Sequence, residues 1–120
     1  MSRQPVNGYS DEALTTPATE PRELIAGANF DAENKTFWCR SIWVANEHAT
    51  ETATVEVYDQ DDGAAAATAT LQRLTLLCPP ASTTLFDFPA PGIKFITNIT
   101  ACATLGTVAA YGAGASGYKE

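Results

Sequence analysis

The chain has 120 residues, of which 45% are hydrophobic and 18% are charged, and its formal net charge at pH 7 is −7. A chain of this length fits one domain that buries roughly two-thirds of the surface of its unfolded form. Its seven basic residues are scattered along the sequence, whereas phosphate binding requires clustered Lys and Arg. The composition therefore predicts one globular domain that does not bind nucleic acid.

The sequence also argues against membrane insertion and against a disulfide framework. No apolar run reaches the roughly 20 residues of a membrane-spanning helix, and the polar first residues lack the pattern of a secretory signal. We therefore expect synthesis in a cytosol, where thiols stay reduced. Three widely spaced cysteines, Cys39, Cys78 and Cys102, fit small buried hydrophobic residues better than paired disulfides.

Residues 1–22 contain three prolines, polar residues and isolated apolar residues, without a helical or a strand period. Such a segment cannot by itself bury enough apolar surface to offset the entropy cost of ordering it. We predict an extended N-terminal arm over residues 1–22 that packs on a neighbouring subunit, and leave open a short helix at Ser10–Leu14. Residues 23–112 then form a β-sandwich domain, and residues 113–120 form a C-terminal tail.

From Leu24 onward, apolar alternation typical of strands recurs at intervals of roughly ten residues. The predicted strands are Leu24–Ile25, Thr36–Asn46, Thr52–Tyr58, Leu71–Leu77, Thr83–Phe88, Gly92–Ile96, Asn98–Thr104 and Val108–Gly112. About eight short strands at this spacing predict an all-β fold, an antiparallel β-sandwich or jelly roll, rather than alternating strands and helices.

Two stretches of this pattern stand out. Strict alternation along Thr36–Asn46 places Trp38 and Trp43 on opposite faces, which predicts that one faces the core and the other a partner. Leu85–Phe95, LFDFPAPGIKF, has two alternating runs separated by prolines and Gly92. We predict two strands joined at a tight corner there, a marker of the fold without a reactive group.

Candidate catalytic residues are few. The single histidine, His48, lies in a polar turn without a nucleophile motif nearby, so we expect an exposed turn residue rather than a catalytic base. Glu56 and Asp87 could flank a groove as a pair of catalytic carboxylates, but both equally fit the outward positions of solvated strands. These observations predict a protein that is not an enzyme.

Metal-binding patterns are equally weak, and we expect no cofactor. The cysteines and His48 lack the close spacing of a zinc site. Asp59, Asp61 and Asp62 with Gly63 are similar to the start of a calcium loop, but the spacing is wrong and Thr70 stands in place of the bidentate Glu. A solvated loop is favoured, and weak calcium binding remains the alternative.

The order of features from Phe37 to Tyr111 resembles the small β-sandwich or jelly-roll proteins of tailed bacteriophages. The resembling parts are the TVEVYDQDDG and LQRLTLL strands, the FDFPAPGIKF corner, the ITACAT strand and the final VAAYG. The resemblance implies a capsid decoration (cement) protein, without catalytic residues, made in the host cytoplasm and located on the capsid exterior. Its implied partner is the major capsid protein lattice, and its implied state is a homotrimer.

The predicted arm and the second tryptophan supply the candidate partner contacts. These residues are Arg3, Pro5, Val6, Tyr9, Leu14 and Trp38. If the arm is the anchor, deletion of residues 1–22 leaves a folded domain that no longer binds capsids. The alternative is a phage fibre- or spike-type module that binds carbohydrate or a host surface, with Trp38, Tyr58 or Tyr111 stacking on sugar. A small hydrolase using His48 is the third and weakest hypothesis.

Overall fold

A computed structural model of the chain shows two antiparallel sheets packed face to face, which confirms the predicted all-β sandwich. It describes residues 3–10, 12–61, 66–104 and 112–120. Within these residues the strands are β1 (Gln4–Tyr9), β2 (Arg22–Ile25), β3 (Phe37–Asn46), β4 (Ala53–Tyr58), β5 (Gln72–Cys78), β6 (Ser82–Asp87), β7 (Ile93–Phe95), β8 (Ile99–Thr104) and β9 (Gly112–Lys119). Short 3-10 turns at Gly27–Asn29, Asp31–Glu33 and Ala69–Leu71 are the helical elements of this part of the chain.

The strands pair in a nested order. Sheet A has the order β1-β9-β3, with β6 and β7 both along the free side of β3, and sheet B has the order β2-β8-β4-β5. Thus β1 pairs with β9, β2 with β8, β3 with β6 and β7, and β4 with β5, always antiparallel. A long hairpin folded over into two sheets gives this pairing, so the fold is a jelly roll.

The core lies between the two sheets and follows the predicted alternation. Along β4, Ala53, Val55 and Val57 are buried, because successive side chains of a strand point to opposite faces. The ring of Phe37 lies at the centre of the core, with its centroid 5.6 Å from that of Phe30 and 6.4 Å from that of Phe95. The alternating strand predicted at Thr52–Tyr58 is confirmed as β4.

A β-bulge in β3 changes which residues share a face. The register shifts between Cys39 and Ser41, and an extra residue in one strand reverses the alternation beyond it. Cys39 and Ile42 are therefore both buried although they are three residues apart. As a result, Trp38 and Trp43 both point to the outer face of sheet A, and their predicted placement on opposite faces is wrong.

The stretch predicted as a tight corner is an interruption of one edge strand. Asp87, the last residue of β6, pairs with Ser41, and Ile93, the first of β7, pairs with Cys39. Both segments run in the same direction along β3. The N–H of Phe88 still bonds to the carbonyl oxygen of Arg40, and residues 89–92 leave the sheet before β7 begins. Gly92 has a φ of 105°, and a Cβ there would collide with the carbonyl oxygen of Cys39, so this position requires glycine.

Both predicted flanking segments belong to sheet A. β1 pairs with β9 from Gln4↔Lys119 to Tyr9↔Gly114, and β9 also pairs with β3. The predicted free arm over residues 1–22 and the predicted tail over residues 113–120 are therefore wrong for the strands they contain. The part of Ser10–Leu14 that the structure describes is not helical. Of the predicted last strand, residues 108–111 lie outside the described part of the chain.

Candidate functional site

The outer face of sheet B is closed over part of β4 and β8, although Leu77 on its edge strand β5 is exposed. Tyr58, Thr100 and Cys102 occupy outward positions on β4 and β8, yet Tyr58 is 2% exposed and the other two are fully buried. Beside Tyr58, the Gln60 side chain donates a hydrogen bond to the carbonyl oxygen of Ala66 and accepts one from the N–H of Thr68. Tyr58, a predicted sugar-stacking residue, is therefore inaccessible. Tyr111, the other one named with it, lies outside the described residues.

Tyr58 instead forms a contact within sheet B. Its hydroxyl donates a hydrogen bond to the Glu56 carboxylate at 3.0 Å, and Glu56 also accepts one from the hydroxyl of Thr104 at 3.3 Å. Burial, followed by this hydrogen bond and the negative charge of Glu56, raises the pKa of Tyr58. The acidic residue predicted to be solvated here is thus part of a hydrogen-bonded cluster.

The outer face of sheet A is open and carries an aromatic row. The row crosses four paired strands and consists of Tyr9, Gly114, Trp43 and Leu85. A Cβ at Gly114 would collide with Nε1 and Cε2 of the Trp43 indole, which shows that the indole lies directly over the glycine. The backbone of β9 therefore supports the ring from below, and Tyr9 beside it is 66% exposed.

A polar row lies next to the aromatic row, two residues further along each strand. It consists of Asn7, Ser116, Ser41 and Asp87. The hydroxyls of Ser41 and Ser116 are hydrogen-bonded at 2.7 Å. Between the two rows lies a shallow cavity of about 310 Å³, lined by Asn7, Gly8, Tyr9, Trp43, Ala115 and Ser116.

A third row on the same face carries the remaining tryptophan. It consists of Pro5, Tyr118, Trp38 and Lys94. Arg3 covers Tyr118, with its guanidinium carbon 4.5 Å from the ring centroid, and forms an ion pair with Glu120 at 3.2 Å. Trp38 borders a second depression, of about 400 Å³, whose lining includes the cationic residues Arg73 and Lys94.

The structure brings together four of the six predicted partner contacts. Arg3, Pro5, Tyr9 and Trp38 all lie on or over the outer face of sheet A. The other two face inward and are corrections to the prediction. Val6 packs against the core, and Leu14 belongs to the core with 1% exposure. Deletion of residues 1–22 would therefore remove a strand and a core leucine, not a separable anchor.

Sequence reasoning missed the residues that complete the cavity. The prediction that one tryptophan faces a partner names Trp38 and not Trp43 as the contact, and it gives Asn7 and Ser116 no role. The available signal is the stretch GAGASGY, whose first six residues are all small. In a strand such a stretch leaves room for large side chains on its neighbours. The sequence pattern alone did not show which strand would lie beside it.

Asp59, a residue of the predicted calcium loop, has a structural role. Its carboxylate accepts hydrogen bonds from the backbone N–H groups of Ile96, Thr97 and Asn98, at 3.1, 2.8 and 3.1 Å. It also lies 3.5 Å from a guanidinium nitrogen of Arg73. Since these partners occupy both carboxylate oxygens, Asp59 joins the end of β4 to the start of β8. Asp62 and Gly63 lie outside the described residues.

His48 organises a turn. Its Nδ1 accepts hydrogen bonds from the backbone N–H groups of Thr50 and Glu51, at 3.1 and 2.9 Å, and its Nε2 lies 3.3 Å from the Glu51 carboxylate. The ring is half-buried rather than exposed as predicted. The two candidate carboxylates are also separated: Glu56 lies on the outer side of sheet B and Asp87 on the outer side of sheet A, so they do not flank a common groove.

All three cysteines are free and buried, as predicted. Burial raises the pKa of the Cys39 thiol to about 12 and that of Cys102 to about 11. A thiol of this kind is a poor nucleophile at neutral pH, because the thiolate is the reactive form. Among the described residues, no group of three or more His, Cys, Asp or Glu side chains is arranged to hold a metal ion.

One side of the sandwich carries exposed leucines, at what we call the leucine edge. Leu77 on β5 and Leu85 on β6 are each 60% exposed, and Leu71, just before β5, is 37% exposed. β5 pairs with β4 and β6 pairs with β3, and within the described residues neither has a partner strand on its other side. The leucine edge therefore combines apolar side chains with unpaired strand backbone.

Comparisons with protein-family models, curated proteins and solved structures find no match. Within the part of the chain that the structure describes, no helix is long and apolar enough to cross a bilayer.

Proposed function

We propose that the chain is a non-enzymatic structural protein of a tailed-phage virion, a decoration protein that binds the major capsid lattice from outside. The observation that carries the proposal is the leucine edge on a jelly roll. Two residues of the leucine edge, Leu77 and Leu85, are each 60% exposed. Large exposed apolar residues on one side of a small domain are typical of a protein interface.

The leucine edge suits an assembled lattice as its partner. Leu77 points outward from sheet B and Leu85 outward from sheet A, so a partner that covers both must wrap around the edge of the sandwich. A junction between capsid subunits has surface on two sides and can do this. The net charge of −7 disfavours a nucleic-acid partner, since it repels phosphate.

Decoration would stabilise the capsid by mass action. A protein that binds the assembled shell and not its free subunits lowers the free energy of the shell by RT ln(1 + c/Kd) per site, where c is its free concentration. Such a protein needs no catalytic group. A closed homotrimer, placed on threefold positions of the shell, would present three leucine edges to three subunit junctions at once.

Binding to shells assembled without this protein tests the proposal. The wild-type chain is expected to co-sediment with the shells, and Leu77→Asp and Leu85→Asp are each expected to weaken binding about tenfold or more, since a buried charge replaces an apolar contact. Tyr9→Asp is the matched control, because Tyr9 is equally exposed but lies away from the leucine edge. Unchanged binding of both leucine variants would exclude this edge as the contact.

The trimer is tested separately by sedimentation equilibrium of the free protein. The expected mass is three times that of the 12.7 kDa chain. If the free protein is a monomer at concentrations that saturate the shells, the homotrimer is contradicted. Capsid binding itself is then still tested by co-sedimentation.

A further inference from the structure

We propose that the open face of sheet A binds a neutral saccharide on the aromatic row, with Tyr9 and Trp43 as the stacking residues. The site is the cavity of about 310 Å³ between the aromatic row and the polar row. This volume is at the lower end of the range for ligand pockets, so it suits one or two sugar units of a longer chain that continues across the sheet.

The aromatic groups have the exposure and support that stacking requires. A sugar ring has an apolar C–H face, and it packs on aromatic rings that are flat and accessible. The Trp43 indole rests on the backbone at Gly114, so it does not have to be ordered when a ligand binds. Tyr9 is the most exposed large hydrophobic residue among those that the structure describes, at 66%.

The polar row supplies hydrogen bonds at the edge of the stacking surface. Among the described residues the Asn7 amide has no hydrogen-bond partner, so both its donor and its acceptor groups are available to a ligand. The Ser116 hydroxyl is bonded to that of Ser41 and keeps further acceptor capacity. An amide and a hydroxyl beside an aromatic surface match the hydroxyl groups at the rim of a sugar ring.

The absence of charge at the cavity favours a neutral sugar. None of the residues that line it is charged. The depression beside Trp38 differs, because the charged residues Asp59, Arg73 and Lys94 line it. Arg73 is paired with Asp59, so Lys94 is the residue that would attract a carboxylate-bearing sugar there. The two tryptophans therefore allow a comparison between an uncharged and a charged aromatic surface on one face.

The saccharide cavity and the leucine edge meet at one residue. Leu85 of the leucine edge pairs with Trp43 but does not line the cavity, whereas Leu77 lies on sheet B. A decoration protein attached through the leucine edge would leave the Tyr9 side of the cavity, which is formed by β1 and β9, accessible from the virion exterior. Failure of either experiment consequently leaves the other proposal standing.

Titration of tryptophan fluorescence with neutral oligosaccharides tests the inference. The probes are gluco-, manno- and chito-oligosaccharides, with an oligogalacturonate as the anionic comparison. The Trp38→Phe variant leaves Trp43 as the single reporter, and we expect saturable quenching by at least one neutral series. Tyr9→Ala and Asn7→Ala are each expected to weaken this binding, Tyr9→Ala by about tenfold.

The variants are first checked for an unchanged thermal midpoint, since both residues are exposed and their truncation is expected to be tolerated. Lack of response to every neutral series would overturn the proposal. Undiminished binding by both variants, or stronger binding of the oligogalacturonate, would also overturn it, the latter by pointing to the depression beside Trp38. Loss of capsid binding by Leu77→Asp with unchanged saccharide binding would support the separation of the two sites.

Discussion

The outer faces of the two sheets show similar alternation of side chains but differ in how far their aromatic residues are exposed to solvent. On sheet B the outward Tyr58 is 2% exposed, and on sheet A the outward Tyr9 is 66% exposed. Alternation determines the direction of each side chain, but connecting segments determine whether it reaches solvent. Both faces carry aromatic residues, but only those on the open face are accessible to a ligand.

The covered face also depends more on polar contacts for its stability. At its end, Asp59 accepts three backbone hydrogen bonds. On the open face, polar contacts join exposed or half-buried groups, such as the Ser41 and Ser116 hydroxyls, and Trp43 packs on Gly114. The difference predicts that substitutions under the covered face change folding, whereas substitutions on the open face change binding.

The largest effect is expected for Asp59→Ala. The substitution leaves three backbone N–H groups without their acceptor, of which that of Asn98 is in a buried bond, and we expect the free energy of unfolding to fall by about 3 kcal/mol. Urea denaturation measures it. Asp87→Ala is the control on the open face, where the side chain is exposed and a change within about 0.5 kcal/mol is expected. Equal effects of the two substitutions would remove the contrast between the faces.

Alkaline pH is expected to produce the next largest effect. Burial raises the pKa of Cys39 to about 12 and that of Cys102 to about 11, from an ordinary value of 9.0. Because the folded state disfavours the thiolate, this stability is fully present below about pH 9, falls as the unfolded thiols ionise above pH 9, and stops falling at the raised values. We expect a loss of about 2 kcal/mol between pH 8 and pH 10.

The variant Cys102→Ala isolates one share of the alkaline effect. Between pH 8 and pH 10 its free energy of unfolding is expected to fall by about 1 kcal/mol less than that of the wild type, because one of the two thiols with a raised pKa is missing. Parallel curves for the variant and the wild type would show that Cys102 does not contribute.

Removal of one hydroxyl from each face compares them directly. Tyr58→Phe deletes the donor to Glu56 and is expected to cost about 1 kcal/mol, because the half-buried carboxylate loses a partner. Tyr9→Phe, which removes a solvated hydroxyl, is expected to change stability by less than about 0.5 kcal/mol. Thermal unfolding of both variants in the same buffer measures the two changes. A larger loss of stability for Tyr9→Phe would contradict the view that the face of Tyr58 is the covered one.

A small change in stability is expected for Gly114→Ala. The added methyl group would occupy the space of the Trp43 indole, and this half-buried ring can swing outward at a cost of about 1 kcal/mol or less. Its fluorescence emission should then shift to longer wavelength, as the indole gains contact with water. Ser116→Ala, two residues further along β9 on the same face, is the control. An unshifted spectrum would mean that the indole does not rest on Gly114.

The fold could be predicted because it depends on alternation that is visible in the sequence. β4 and β8 show it clearly, and the spacing of the strands pointed to a sandwich or jelly roll. β9 could not be found in this way, since GAGASGYK has little apolar contrast. It is a strand because β1 and β3 on its two sides supply the large side chains that it lacks.

The open face could be predicted only in part, for two physical reasons. The bulge near Arg40 adds one residue to β3 and moves Trp43 to the face of Trp38, and no local sequence signal marks it. Exposure depends on which loops fold over a sheet, which is a long-range property. The sequence did indicate Tyr9 and Trp38 as surface aromatics, but it could not pair Tyr9 with Trp43.

Pairing of β1 with β9 has a consequence for how the protein folds during synthesis. Sheet A receives its first strand within the first ten residues, and that strand must wait for residues 112–119 before it has its hydrogen-bonding partner. Contacts between such distant residues form slowly. Until the ribosome releases β9, the nascent chain exposes apolar residues that belong in the core, so chaperones have a long interval in which to bind it.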